Sequence, residues 1–285
     1  MPTLKEYNIK LARLRNTHKM TKTMKMVAAN KLRKAQAAQR NAQVFMDHIA
    51  ALYRRAAYDL AALDHPLLKE RSAVRAIHCV LITSDRGLCG GFNNNLNRRV
   101  AQWMQENASR NARLHLSFCG RRGFLYFRNA ANLRTHYEGI SAKPSLGDVL
   151  RVGRDLQASF LSGSYDEVYL AYNVSKGVLA HTPVVERLLP LQLPPPPHPP
   201  DGLLYDPAYA VLIDFLLPKL VNTRLYNALM NSSVGEHGAR MAAMENSTTN
   251  ADNLITTYTL MRNRARQAAI TRELIEIVAG AEALK

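Results

Sequence analysis

From Met241 to Lys285 the chain contains no proline, its only glycine is Gly280, and its apolar and small residues recur three and four apart. Met241, Met244, Thr248, Ala251, Ile255, Tyr258, Arg262, Ala265 and Ala269 trace one seam along one side of a helix. A second heptad track, Leu254, Met261, Ala268 and Ile275, runs beside it. At about 1.5 Å per residue such a stretch makes a rod of about 60 Å. A rod of that length cannot fold around a core of its own, so it requires a partner helix.

The other terminus offers one. Between Leu4 and Leu60 there is neither proline nor glycine, and Ala, Lys, Arg, Gln, Leu and Met predominate, all good helix formers. Ala28, Leu32, Ala35, Gln39, Ala42, Met46, Ile49, Tyr53 and Ala56 alternate four and three apart. Small residues on both stripes let two helices approach closely, which predicts an antiparallel coiled coil of the two termini. The competing reading is two separate amphipathic helices laid on a globular core. Charge adds a second constraint. Residues 1–40 carry Lys5, Lys10, Arg13, Arg15, Lys19, Lys22, Lys25, Lys31, Arg33, Lys34 and Arg40 against a single acid, Glu6. Like charges one turn apart repel, so an acidic partner is expected along this helix.

The 285 residues, 47% of them hydrophobic, can bury one good-sized core with extensions or two domains. A net charge of +16 suits nucleic acid, an anionic membrane surface or an acidic protein. Cys79, Cys89 and Cys119 form no CxxC pair and are odd in number, which argues against a disulfide framework or a zinc site and for a reducing compartment. The opening Met-Pro-Thr-Leu-Lys has no apolar signal core, and the most apolar window, Ala208 to Val221, is interrupted by Asp214 and Pro218 and too short to span a bilayer. A soluble chain without direct membrane insertion is expected, one that can sit on a membrane complex.

Between the termini the periodicity changes. Ala76 to Thr83, Leu114 to Cys119 and Asp166 to Tyr172 read as strands, and Val184 to Leu189 as an edge strand. Phe92 to Glu106, a short segment after Gly123, and Leu146 to Phe160 read as helices. Strands alternating with helices predict a small, mostly parallel sheet with crossover connections. Leu193-Pro-Pro-Pro-Pro-His-Pro-Pro-Asp-Gly202 reads as a stiff spacer before a helix restarting near Pro207. The expected organisation is therefore a helix over 1–63, an α/β domain over 70–192, a linker over 193–206 and a second long helix over 207–285.

Few residues point to chemistry. Gly87-Leu-Cys-Gly-Gly91 lies between a strand and a helix, where backbone N–H groups can hold a phosphate, but it is neither GxGxxG nor a P-loop. A tight turn packing helix against sheet explains it better. Cys89 as a nucleophile lacks a spaced His and carboxylate, and Glu236-His237 lacks a second metal ligand at i+4, so a polar helix surface is expected there. No catalytic, cofactor or metal site is expected. A basic coiled-coil protein that binds nucleic acid is the alternative function, although residues 5–40 offer one aromatic ring for base stacking, Tyr7.

Three blocks carry a resemblance. Asn16-Thr-His-Lys-Met-Thr-Lys-Thr-Met-Lys-Met-Val-Ala-Ala-Asn-Lys-Leu-Arg33, Ser84-Asp-Arg-Gly-Leu-Cys-Gly-Gly-Phe-Asn93, and Ala239-Arg-Met-Ala-Ala-Met244 with Arg266-Gln-Ala-Ala-Ile-Thr-Arg-Glu-Leu274 and Gly280-Ala-Glu-Ala-Leu284 resemble the gamma subunits of F-type ATP synthases over essentially the whole chain. The resemblance implies an α/β fold: a long antiparallel coiled coil of both termini plus a small Rossmann-like domain with a mostly parallel sheet. It implies a central rotary shaft that couples ion flow through the membrane sector to ATP synthesis or hydrolysis and has no catalytic residue of its own. Its partners would be the alpha and beta subunits of the ring, the epsilon subunit and the membrane c-ring, and its place the cytoplasmic face of a bacterial inner membrane.

The match is carried over residue by residue. Lys22, Met24, Lys25, Lys31, Arg33 and Lys34 fall where the family faces acidic loops of the beta subunits, and Arg240, Gln267 and Thr271 where it contacts their catch loops. Beyond Ile270, the residues Leu274, Ile275, Ile277, Val278 and Leu284, with Ala279, Ala281 and Ala283, place apolar groups on nearly every side of the helix, which suggests a bearing tip held in an apolar sleeve of the ring. Gly235 and Gly238 stand where the family has better helix formers, which implies a weakened helix there. The Pro-rich linker is a further departure, and the cysteine-bearing regulatory insertion of the chloroplast type is not evident.

Overall fold

The computed structural model describes residues 3–61, 65–129, 132–175, 177, 180–192 and 209–282, with side chains at all of these except 54–61, 209–210 and 282. The chain divides into two compact units, residues 1–28 with 240–285, and residues 29–239. Helices α1 (Leu4–Ala61) and α5 (Tyr209–Glu282) contribute to both. The proline-rich segment expected as a linker lies outside the described residues.

In the first unit α1 opens with a capping box: Thr3 Oγ1 accepts from Glu6 N at 3.3 Å while Thr3 N donates to the Glu6 carboxylate at 3.2 Å. Its contacts with α5 run in opposite senses along the two helices. Tyr7 meets Tyr258 with ring centroids 6.3 Å apart, His18 meets Asp252 at 3.2 Å, the hydroxyls of Thr21 and Thr248 meet at 2.8 Å, and Lys25 pairs with Glu245. Numbers rise on one helix as they fall on the other, so the pair is antiparallel. Leu11, Ala28, Met244 and Ala251 are buried along the seam. The expected stripe holds from Met244 through Ala265, but Ala269 is exposed, as is the whole second track of Leu254, Met261, Ala268 and Ile275.

The second unit is a five-stranded sheet between two helical layers. Strands β1 (Ala76–Ile82), β2 (Arg113–Cys119), β3 (Leu133–Tyr137), β4 (Glu167–Ser175) and β5 (His181–Leu189) lie in the order β3-β2-β1-β4-β5. The first four are mutually parallel and β5 runs antiparallel to β4 at the edge. All seven residues of the central strand β1 are buried, as a strand covered on both faces requires. Its alternation assigns the layers. Ile77, Cys79 and Leu81 pack with Leu96, Val100 and Trp103 of α2 (Phe92–Glu106). Val80 and Ile82 face α4 (Leu146–Leu161), Ile49 and Tyr53 of α1, and the stretch of α5 from Ile213 to Leu229. The short α3 (Arg121–Phe127) follows β2 through Gly120, whose φ of +116° and 2.1 Å approach of an added Cβ to the Thr83 carbonyl admit only glycine.

Three sequence expectations change. The strand β3 was not anticipated, because its five residues Leu-Arg-Thr-His-Tyr carry no apolar alternation and only Tyr137 is buried. Strands β4 and β5 run longer than expected because their antiparallel ladder continues to the Ser175–His181 pair. Glu236 and His237 do not form a polar helix surface: they are 6% and 5% exposed, because this part of α5 lies within the second unit's interior. Helix α5 also runs unbroken through Gly235 and Gly238. Gly235 is a close-approach position, since a Cβ there would come within 3.0 Å of the Phe92 ring. Gly235→Leu is therefore expected to lower unfolding stability by about 1–3 kcal/mol through overpacking, read as a reduced denaturation midpoint in urea.

Candidate functional site

In a parallel sheet of this order, ligands bind outside the carboxyl ends of the strands where the order reverses, here between β1 and β4. The turn from Ser84 to Gly91 leaves β1 at that point, and the structure shows what occupies it. Asn93 Oδ1 accepts from Ser84 N at 3.0 Å, and Asn93 Nδ2 lies 2.8 Å from Ser84 Oγ and 3.2 Å from Cys89 Sγ. The turn is thus tied to the first turn of α2 by side chains. Asn173 of β4 donates to the Phe92 carbonyl at 3.1 Å, and the Phe92 ring, fully buried, packs on Gly235 and lies 5.4 Å from the His181 ring. Ser232 of α5 reaches the Ile82 carbonyl at 3.4 Å, and Cys89, Phe92 and Ala239 form a small buried cluster. Helix α5 covers one side of the turn, and on the other side Gly87, Gly90, Asn94, Asn97, Arg122 and Tyr126 line an open cavity of about 370 Å³. The Gly-rich turn is a packing device, as the tight-turn reading expected, and Cys89 is buried within it at 2% exposure. Among the described residues no group of His, Cys, Asp and Glu is placed to hold a metal ion.

The remaining candidates lie on the helices. In the first unit Lys22 is exposed, Met24 is half-buried, and Lys25 is half-buried because it turns toward α5 to pair with Glu245. Lys5, Lys10, Arg13, Arg15 and Lys19 are also exposed, and Lys10 stands 4.4 Å over the Tyr258 ring. In the second unit Lys31, Arg33 and Lys34 are all exposed. Tyr7, the one aromatic available for base stacking, is engaged by Tyr258, which removes the feature the nucleic-acid reading most needs.

The whole chain from residue 3 to 284 matches the sequence family described as ATP synthase. It is 42% identical over 294 residues to the ATP synthase gamma chain of Anaeromyxobacter sp. strain Fw109-5 and 38% identical over 289 residues to that of Geobacter sp. strain M21, covering all of both chains in each case. The chain belongs to the ATP synthase gamma-chain family. Among solved structures, the rotor of the Euglena gracilis mitochondrial ATP synthase shares the fold with a TM-score of 0.67 at 20% identity, covering 94% of this chain and 98% of that one. The central stalk of the Tetrahymena thermophila mitochondrial enzyme does so with a TM-score of 0.60 at 23% identity, covering 80% and 98%. The nucleic-acid alternative has no support from these relatives.

As a gamma chain it presents the remaining family positions as follows. Gln267 and Thr271 are exposed one turn apart, with Thr271 Oγ1 donating to the Gln267 carbonyl at 3.0 Å, while Arg240 is half-buried. At the tip Ile270, Leu274, Ile275, Ile277 and Val278 are 46–67% exposed, and Leu284 lies outside the described residues. At about 100° per residue the large side chains from Ile270 to Val278 cover an arc of about 160°, with Arg272, Glu273 and Glu276 opposite. The tip is a wide apolar face rather than apolar on nearly every side, because these three charged residues occupy the opposite side. Sequence reading missed the seam between Tyr7 and Lys25, although Tyr7, Leu11, Leu14, His18, Thr21 and Lys25 continue the same spacing that leads to Ala28. Since the turn after β1 is not a phosphate-binding loop with a Lys and a metal-binding hydroxyl, the isolated chain is expected to show no saturable ATP binding in equilibrium dialysis; stoichiometric binding would overturn that argument.

Proposed function

We propose that this chain is the turning central stalk of an F-type ATP synthase, itself without catalytic groups, which carries ion-driven rotation to nucleotide sites in a surrounding ring of alpha and beta subunits. The other partners are the epsilon subunit and the membrane c-ring, and the complex sits on the cytoplasmic face of a bacterial inner membrane. No helix among the described residues is long and apolar enough to cross a membrane, which agrees with a peripheral subunit. The observation that carries the reading is the antiparallel pair of the first unit, whose outer surface is basic along α1. A shaft with charge on one side presents a different potential to each of several equivalent neighbours, and turning it changes which neighbour is favoured.

Charge reversal tests this directly. Lys22 and Arg33 are exposed, so Lys22→Glu with Arg33→Glu should leave folding within about 0.5 kcal/mol of the parent. Lys25 is excluded because its reversal would set two carboxylates together at Glu245. In assembled complexes reconstituted into vesicles, the expected result is less ion pumping per ATP hydrolysed. Unchanged coupling in a folded, assembled variant removes the interface assignment. A second experiment addresses the tip, where an apolar face of this width needs a covering surface. Deleting residues 280–285 should lower the yield of assembled complex more than the ATPase rate per complex. Normal yield with abolished turnover would make the tip a drive contact and end the bearing assignment.

A further inference from the structure

The outer face of α5 in the first unit is electrically neutral over a length where α1 is crowded with charge. From Asn246 to Asn263 the sequence holds only two ionisable acids or bases other than tyrosine, Asp252 and Arg262. Neither lies on the outer face. Asp252 lies on the flank nearest α1 and accepts from His18 Nε2 at 3.2 Å, and Arg262 is half-buried with its guanidinium 3.1 Å from the Asn263 side-chain oxygen. The acid just before this stretch, Glu245, is paired with Lys25. Taking the buried Met244–Ala251 seam as reference and about 100° per residue, the side away from α1 is formed by Asn246, Thr249, Asn250, Asn253, Thr257 and Leu260, all exposed.

Several hydroxyls on the exposed surface are satisfied within their own helix. Ser247 donates to the Ala243 carbonyl at 2.8 Å, Thr256 to Asp252 at 3.1 Å and Thr257 to Asn253 at 2.9 Å. Those protons are not offered outward. On α1 of the same unit Lys5, Lys10, Arg13, Arg15, Lys19 and Lys22 are exposed against one acid, Glu6. The pair therefore separates its chemistry, with fixed charge on one helix and uncharged polar groups on the other.

We propose that the α5 face from Asn246 to Leu260 is a neutral glide track, apposed to an uncharged wall of the surrounding ring, while α1 makes the angle-dependent charged contacts. The inference rests on the rotor reading and adds the chemistry of the opposing surface. A charge carried past fixed charges meets a series of attractive and repulsive positions, each of which slows passage, whereas an uncharged amide or methyl meets none. Charge complementarity selects the occupant: a charged wall would leave its own groups desolvated against this face without counter-charge.

The test places one charge of either sign at the outermost position, Asn253→Lys and Asn253→Asp, in the full chain assembled with its alpha and beta subunits. Ser164→Lys, on an exposed loop of the second unit, controls for net charge. ATP turnover per assembled complex is measured at low and high salt. Both Asn253 variants should turn over about threefold or more slowly than the parent at low salt and stay slow with added salt, since against an uncharged wall the cost is desolvation of the added charge, which screening does not remove. Parental turnover in both variants at low salt overturns the track, as does a loss that added salt relieves, which marks fixed charges on the wall. Slowing by one sign and acceleration by the other means a charged wall and also overturns it. If the parent chain does not assemble with the ring at all, the rotor reading fails first and the track with it, an outcome distinct from assembly with unaltered turnover.

Discussion

The first unit of this chain depends on one seam holding two long helices in a single register. Isolated helices are marginal in water and gain their stability from tertiary packing, and α1 adds like charges that oppose its own helix. Leu11, Ala28, Met244 and Ala251 supply the apolar burial of the first unit, and small alanines permit close approach. An apolar heptad seam alone tolerates a slip of seven residues, because every position finds an equivalent partner. The polar members remove that freedom. Thr21 Oγ1 meets Thr248 Oγ1 at 2.8 Å and His18 meets Asp252 at 3.2 Å, and a slip would strand the half-buried groups among apolar neighbours.

The α/β unit shows how a fold associated with nucleotide binding can use its switch-point turn for packing. The strand order and the Gly-rich turn after β1 are those of a phosphate-binding layout, yet fold alone assigns no activity. What decides is α5. Its Gly235 lets the Phe92 ring press against the helix backbone, and Ser232 and Ala239 on the same helix pack against Ile82 and Cys89. The glycine that looks like a weakness in helix propensity is the residue that permits this packing, and the surrounding contacts compensate for the roughly 1 kcal/mol it costs relative to alanine.

Legibility in the sequence followed the strength of each periodic signal. Helix α2 begins and ends at Phe92 and Glu106 as read, and β1 and β2 lie within a residue of expectation, β1 because a fully buried strand is a nearly continuous apolar run. Strand β3 was illegible for the opposite reason: its polar residues make sense only in three dimensions, with the Arg134 guanidinium bidentate to Asp155 of α4 at 2.7 Å and His136 stacked 4.8 Å from the Phe124 ring. The burial of Glu236 and His237 was equally hidden, since nothing local distinguishes a polar pair on a surface from one enclosed by a distant sheet. At the candidate surface, the identity of the basic residues was evident from spacing. That Lys25 turns inward while Lys22 faces out depends on where Glu245 falls across the seam, a relation between residues 220 positions apart.

That inward turn bears on what the excess charge can do. The net +16 of the chain states only that a negative partner is favoured, and a charge spread evenly around a helix pair would attract such a partner equally at every angle. Here the acids of α5 nearest the seam, Glu245 and Asp252, turn toward α1, Glu245 pairing with Lys25 and Asp252 accepting from His18. Each such contact holds an acid on the flank beside α1, and the outer face of α5 from Asn246 to Leu260 carries no charge to oppose the exposed bases of α1. The same interactions that fix the register therefore also make the surface potential one-sided, so that antiparallel pairing and angular asymmetry have a common origin in the seam.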